Sequence, residues 1–184
     1  LSPSFSAATT TYTSSVANTI TSITVTPSRQ NSGATIYARV NGGTYSWVTS
    51  GSPSNSLNLN VGSNTIDVRV TAQDGTTIKT YTITVTRALS NDANLSGLSI
   101  TSSSLLPTFT GATTSYSGRV NNNITSVTAT PYCSNSSATI QIRINGGAYS
   151  NVNCGSNSNT LNLNVGSNTI ETRVTAQDGV TTKT

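Results

Sequence analysis

One block of this sequence occurs twice. Residues 57–66 read LNLNVGSNTI, and residues 161–170 repeat them letter for letter. The string RVTAQDG likewise occupies residues 69–75 and 173–179. A constant offset of 104 residues relates these pairs, as it relates Pro27 to Pro131. Residues 1–80 align with 105–184 without a gap, and about two thirds of the aligned positions are identical. A period near 100 residues is too long for a solenoid unit and matches one whole β-sandwich. The chain therefore reads as two tandem copies of one domain, expected over residues 1–88 and 89–184.

Alternation and turn residues indicate what each copy is made of. Leu57, Leu59 and Val61 share one face of a strand and Asn58 and Asn60 the other, a two-residue period. Residues 20–26 alternate similarly and stop at Pro27, which has no amide to donate to a ladder. Residues 34–40 run into Asn41-Gly42-Gly43, a tight-turn signal, and 44–48 return from it as a hairpin. Gly62-Ser63-Asn64 turns the chain into strand 65–71, and Asp74-Gly75 turns it again into 79–87. No segment sustains a period of 3.6 residues, so the expected fold is all-β: tandem immunoglobulin-like sandwiches of seven or eight strands each.

The phase of the repeat adds a further expectation. Residues 81–104 have no second copy, and they hold two strand-like runs, YTITVTR at 81–87 and NLSGLSI at 94–100. If a repeat opens near Asn91, the first copy lacks its opening strand and the second its closing one. Those strands are expected either from further repeats in the same polypeptide or from neighbouring subunits by strand addition.

Composition narrows the function. Charged residues are 8% of the chain, while Ser and Thr together supply about a third, as suits half-buried strands with neutral outer faces. The net charge of +4 comes from scattered residues such as Lys79, Arg87 and Arg119. Nucleic-acid binding needs a clustered basic footprint, so no nucleic-acid partner is expected. No apolar run approaches the roughly 18 residues of a membrane span.

The order LSGL…S, LxPxF, TTxY, SVTxTP, ATIxxxxNGG, LNLNVGSNTI, VTAQDGTTxKTYTITVTRA resembles the bacterial cadherin-like β-sandwich repeat family. Its motif positions are filled here by Leu95, Leu98, Pro107, Phe109, Tyr116, Pro131, Val165, Gly166, Asn168, Asp178, Gly179 and Lys183. In the first copy they are filled by Pro3, Phe5, Tyr12, Pro27, Val61, Gly62, Asn64, Asp74, Gly75, Lys79 and Tyr81. The resemblance spans essentially the whole chain. It implies tandem domains of an exported or surface-anchored protein, with a structural or adhesive role.

Catalytic chemistry has few residues to draw on. The chain has no His, which excludes a Ser-His-Asp triad, a Cys-His pair and a His-liganded zinc site. The acids are Asp67, Asp74, Asp92, Glu171 and Asp178. Asp74 and Asp178 sit in Asp-Gly turns, and Asp67 and Glu171 alternate with apolar strand residues, hence are expected to face outward. No catalytic residue, metal ligand or cofactor is assigned. Ser90-Asn91-Asp92-Ala93-Asn94, the one acid-and-amide cluster, has a single carboxylate, too few for a tight calcium site, and reads as a polar linker.

Cys133 and Cys154 stand where the first copy has Arg29 and Ser50. Two cysteines arriving together in an exported domain are expected to form a disulfide. Tyr37, Tyr45 and Trp47 lie on the two arms of the first hairpin, where aromatic faces serve either as packing or as a platform for sugar rings. The second copy keeps Tyr149 for Tyr45 but has Gln141 and Asn151 for Tyr37 and Trp47, which favours packing.

The expected function is a non-catalytic structural repeat of an extracellular filament, stalk or cell-surface protein. Its expected partners are neighbouring repeats or identical subunits in a fibre or array. The alternative is an adhesive or carbohydrate-binding module of a larger secreted protein, with surface glycans as partners.

Overall fold

The computed structural model describes all 184 residues. They divide into two units, Leu1–Leu89 and Ser90–Thr184, both built of strands without helix.

The first unit has seven strands: β1 (Thr11–Val16), β2 (Ser22–Ile23), β3 (Thr35–Val40), β4 (Ser46–Trp47), β5 (Leu57–Asn58), β6 (Gly62–Thr71) and β7 (Ile78–Arg87). One sheet runs β1-β7-β6-β3-β4, and β2 pairs with β5 in a second. The core joins residues of both sheets, with Ile36, Ile66, Val68 and Val85 meeting Leu57 and Leu59. These side chains alternate along their strands, so one face of each strand is apolar. The β3–β4 turn holds Asn41 at φ 50° and Gly42 at φ 72°, the twist that a two-residue hairpin turn demands.

The second unit has eight strands: β8 (Leu95–Ile100), β9 (Ser126–Val127), β10 (Ala129–Cys133), β11 (Thr139–Ile144), β12 (Ser150–Val152), β13 (Leu161–Asn162), β14 (Ile170–Thr175) and β15 (Thr182–Lys183). Its sheets are β12-β11-β14-β15, β10-β8 and β13-β9. The seven-or-eight-strand sandwich expected from the sequence is the fold observed.

Several strands are shorter than the alternation predicts. Residues 20–26 contract to Ser22–Ile23, and 57–61 to Leu57–Asn58. The reason is local. The Val25 amide bonds to Ser54 Oγ instead of a backbone carbonyl, at 3.1 Å, which ends the ladder on one side, and the Asn60 amide bonds to Asn64 Oδ1 at 2.8 Å, which ends it on the other. Strand β1 was not legible: Tyr12 and Val16 are its only large apolar residues. It exists because it pairs in parallel with β7, from Thr11↔Thr82 to Val16↔Arg87.

Segments that correspond in sequence differ in structure between the units. Strand β10 pairs antiparallel with β8, whereas its counterpart, residues 25–29, forms no strand. Conversely, β6 has ten residues and pairs along its length with β7, whereas its counterpart β14 has six. Residues 115–120, the counterpart of β1, form no strand and have a single isolated bridge, Leu106 to Ser117. The second unit thus seats a strand at its opening edge.

Candidate functional site

The sequence-predicted aromatics converge on one outer sheet face of the first unit. Tyr37 and Arg39 on β3, and Asp67 and Arg69 on β6, project from this face because they alternate with the core residues Ile36, Ala38, Ile66 and Val68. Tyr45 lies across them, its ring centroid 4.4 Å from the Arg39 guanidinium and 4.2 Å from that of Arg69. Arg69 also reaches within 5.3 Å of the Tyr37 ring. Its Nε is buried with no hydrogen-bond partner, so the aromatic π-faces are its compensation.

The second unit builds the same stack. Tyr149 sits 4.5 Å from the Arg143 guanidinium and 4.1 Å from that of Arg173. In both repeats one tyrosine thus lies over two guanidiniums of the same sheet face.

Trp47 differs. It lies cross-strand from Tyr37 and is 58% exposed. In the second repeat the equivalent cross-strand pair is Gln141 and Asn151, and Gln141 Nε2 donates to Asn151 Oδ1 at 2.9 Å. An aromatic pair in one copy is thus a hydrogen-bonded amide pair in the other. Both are self-complementary, as cross-strand packing requires.

All five carboxylates have partners within their own unit. Arg39 Nε donates to Asp67 Oδ2 at 2.8 Å, and Thr82 Oγ1 to Asp67 Oδ1 at 3.1 Å. Asp67 points away from the core, as its alternation with Ile66 and Val68 leads one to expect, but is only 9% exposed. Arg39 and Thr82, bonded to its two oxygens from the strands on either side, shield it from water. Its counterpart Glu171 accepts from Arg143 Nε and is held below the usual carboxylate range, first by that hydrogen bond.

The Asp-Gly turns are tighter still. Asp74 accepts from the Thr76 and Thr77 amides at 2.9 and 2.8 Å and from Thr77 Oγ1 at 2.6 Å. The Thr77 hydroxyl, then the two amides, pull its pKa down to about 2. Asp178 repeats the arrangement with Thr181 and Val180 and is likewise lowered.

The linker cluster is not free. Ser90 and Ala93 are buried, the Ser90 amide donates to Gln177 Oε1 at 3.1 Å, and its carbonyl accepts from the Asp178 amide at 3.0 Å. Asp92 Oδ1 takes the Asn94 amide at 2.9 Å and the Asn94 side chain at 2.7 Å, and the Asn94 amide is the first cause of its lowered pKa. Lys183 Nζ lies 3.0 Å from Asn94 Oδ1. The segment read as a polar linker is the seam that closes the second unit, and a cation already occupies its amide. No group of three or more His, Cys, Asp or Glu side chains comes together anywhere in the chain.

Cys133 and Cys154 form a disulfide, with Cα atoms 5.6 Å apart. In the first unit the equivalent residues, Arg29 and Ser50, are joined by a hydrogen bond from the Arg29 amide to Ser50 Oγ at 3.0 Å.

The sequence model of the cadherin-like β-sandwich domain matches residues 1–88 and again residues 95–184. The two matches fall on the two strand-built units just described. The chain belongs to the cadherin-like β-sandwich family. Domains of this family are generally non-enzymatic, structural or adhesive modules, typically extracellular. A search of curated proteins returned no match. No helix of this cadherin-like chain is long and apolar enough to cross a membrane.

A groove of about 810 Å³ opens in the second unit between residues 115–120 and β14. Phe109, Tyr116, Val120, Leu163, Ile170 and Val174 are among its walls.

Proposed function

We propose that this chain is a non-catalytic structural repeat of an extracellular filament, stalk or cell-surface protein, whose sandwiches associate end to end with neighbouring repeats or identical subunits. The observation that carries this reading is the fate of the carboxylates. Each acid is spent on an internal bond: two in ion pairs under the aromatic stack, two in Asp-Gly turns and one at the seam before β8. General acid–base chemistry needs a carboxyl free to meet a substrate, and here the acids stiffen the module instead. A neutral exterior and strand edges with few guarding Lys or Pro residues further support association between modules. Electron microscopy of the protein as it is displayed by its source tests this. Continuous fibres or rods with a domain-sized axial repeat are expected, and dispersed single particles would refute it.

A second reading, an adhesive module binding surface glycans, draws on one observation: Trp47 is more than half exposed beside Tyr37. Indole and phenol faces side by side match the apolar face of a sugar ring. Glycan-array binding that disappears in Trp47→Ala would favour this reading, and an array without signal would remove it.

A further inference from the structure

Arg69 and Arg173 hold the same position in the two repeats, but their guanidiniums are met differently. Arg173 Nη2 donates to Gln141 Oε1, and Gln141 Nε2 donates in turn to Asn151 Oδ1. The three side chains close a row across β14, β11 and β12. In the first unit Tyr37 stands for Gln141 and Trp47 for Asn151, in the same register. A phenol ring offers the guanidinium a π-face, but no amide oxygen. Arg69 belongs to neither ion pair of the chain, and its Nε is buried without an acceptor. The residue as a whole is only partly buried, so solvent reaches its side chain.

Charge and spacing say what would meet it. Asp67 is already taken by Arg39 and Thr82, so two guanidiniums and one carboxylate leave a single positive charge on this face. Arg69 leans from β6 toward the aromatics, 5.3 Å from the Tyr37 centroid and 4.2 Å from that of Tyr45. Trp47, the far member of the row, is 58% exposed. Strands about 4.8 Å apart set the Trp47 and Arg69 backbones about 10 Å apart, a span that one pyranose ring with an exocyclic acid bridges.

We propose, with the glycan-binding reading as its basis, that this row is a subsite for a hexuronic acid. The apolar face of the sugar ring packs on the Trp47 indole, and its carboxylate accepts from the Arg69 guanidinium. A planar carboxylate is the acceptor that a planar guanidinium engages through paired donors. A neutral hexose covers the indole and leaves the charge unmet. The second unit has no such subsite, because an amide pair replaces the aromatics and Gln141 already engages Arg173.

The test uses the full chain and short oligosaccharides of glucuronate, galacturonate and mannuronate, each beside its neutral hexose counterpart. Trp47 is the one tryptophan of the chain, so its emission reports contact at this row. At least one uronate should change that emission saturably and bind at one site per chain by calorimetry. Its affinity should exceed that of the neutral sugar at least tenfold and fall as salt is added. Arg69→Gln should bring the uronate down to the neutral level. Tyr37→Gln with Trp47→Asn installs a pair with which the second repeat already folds, and should abolish the calorimetric signal. Gln141→Tyr with Asn151→Trp should add a second site. Equal binding of acidic and neutral sugars would leave the glycan reading standing and overturn the uronate assignment. Uronate binding unchanged by Arg69→Gln, or tighter binding of a sulfated hexose than of any uronate, would overturn it too. Silence with every sugar would remove both.

Discussion

The backbone amide of Arg29 donates to Oγ of Ser50 at 3.0 Å, tying together two positions that the second repeat joins covalently through Cys133 and Cys154. The neighbouring bonds are also shared. Gly51 donates to the Pro27 carbonyl at 2.9 Å, and Gly155 to that of Pro131 at 2.8 Å. The fold therefore brings these positions together without help from sulfur, and the disulfide reinforces an existing contact. With a sequence separation of 21 residues, the closed loop should add about 3 kcal/mol by the chain-entropy argument. Reduction, or Cys133→Ser with Cys154→Ser, should lower the stability of the second unit by about that amount and leave the first unchanged. Denaturant melts read by hydrogen exchange resolve the two units. Equal sensitivity of both to reductant would contradict this account.

Asn64 and Asn168 offer a matched pair. Asn64 is 1% exposed; its Oδ1 accepts from the Asn60 amide at 2.8 Å and from Asn41 Nδ2 at 2.9 Å, while its Nδ2 donates to the Asn60 carbonyl at 2.8 Å. Asn168 makes the same bonds at a partly open site. Removing a buried amide strands its partners at about 1–3 kcal/mol each, whereas water can replace an exposed one. Asn64→Ala should therefore destabilise its unit clearly more than Asn168→Ala does, as chemical denaturation would reveal.

Acid should loosen the Asp-Gly turns. Asp74 is held at about 2, below an ordinary carboxyl, because its charged form accepts three hydrogen bonds. A group depressed in the folded state stabilises fully above its unfolded pKa of about 4 and loses that contribution as pH falls through about 2. Stability should thus decline between about pH 4 and pH 2. Thr77→Val, which removes the largest cause, should raise the Asp74 pKa toward the ordinary value. Carboxyl-carbon NMR titration checks this directly, and an unmoved midpoint would show the hydroxyl to be irrelevant.

The ion pairs beneath the aromatic stacks should differ in strength. Asp67 is shielded, with a side chain 12% exposed, while Glu171 at 29% is more open. Water screens the second pair more strongly. Double-mutant cycles should give a larger coupling for Arg39–Asp67 than for Arg143–Glu171, and added salt should erode the latter first. The reverse order would mean that burial does not set the strength of these pairs.

Much of the molecule was legible in its letters. The alternation of Leu57 with Asn58 and of Ile66 with Asp67 marks which side of a strand is apolar, a property of the backbone's two-residue period. Asn41-Gly42 announces its turn because few other residue pairs tolerate two successive positive φ angles. The Cys133–Cys154 bridge followed from their joint arrival in one copy. The misses were of another kind. Strand β1 was invisible because its pairing partner lies some 70 residues away, and the shielding of Asp67 was invisible because the residues that shield it lie on other strands.

The sequence by itself determined two sandwiches of one family, their core faces, their turns and the register that sets Cys133 over Arg29. Those are local or self-comparative properties, carried by spacing along a single segment. Only the tertiary structure decided whether a given segment is a strand and whether a given apolar side chain is buried. The same Tyr, Leu, Asn and Ile are core at 12, 59, 64 and 66 and groove wall at 116, 163, 168 and 170. The physical reason is that a β-strand has no hydrogen bonds of its own: it exists where a neighbour completes its ladder, and its inward face is buried only when that neighbour is seated.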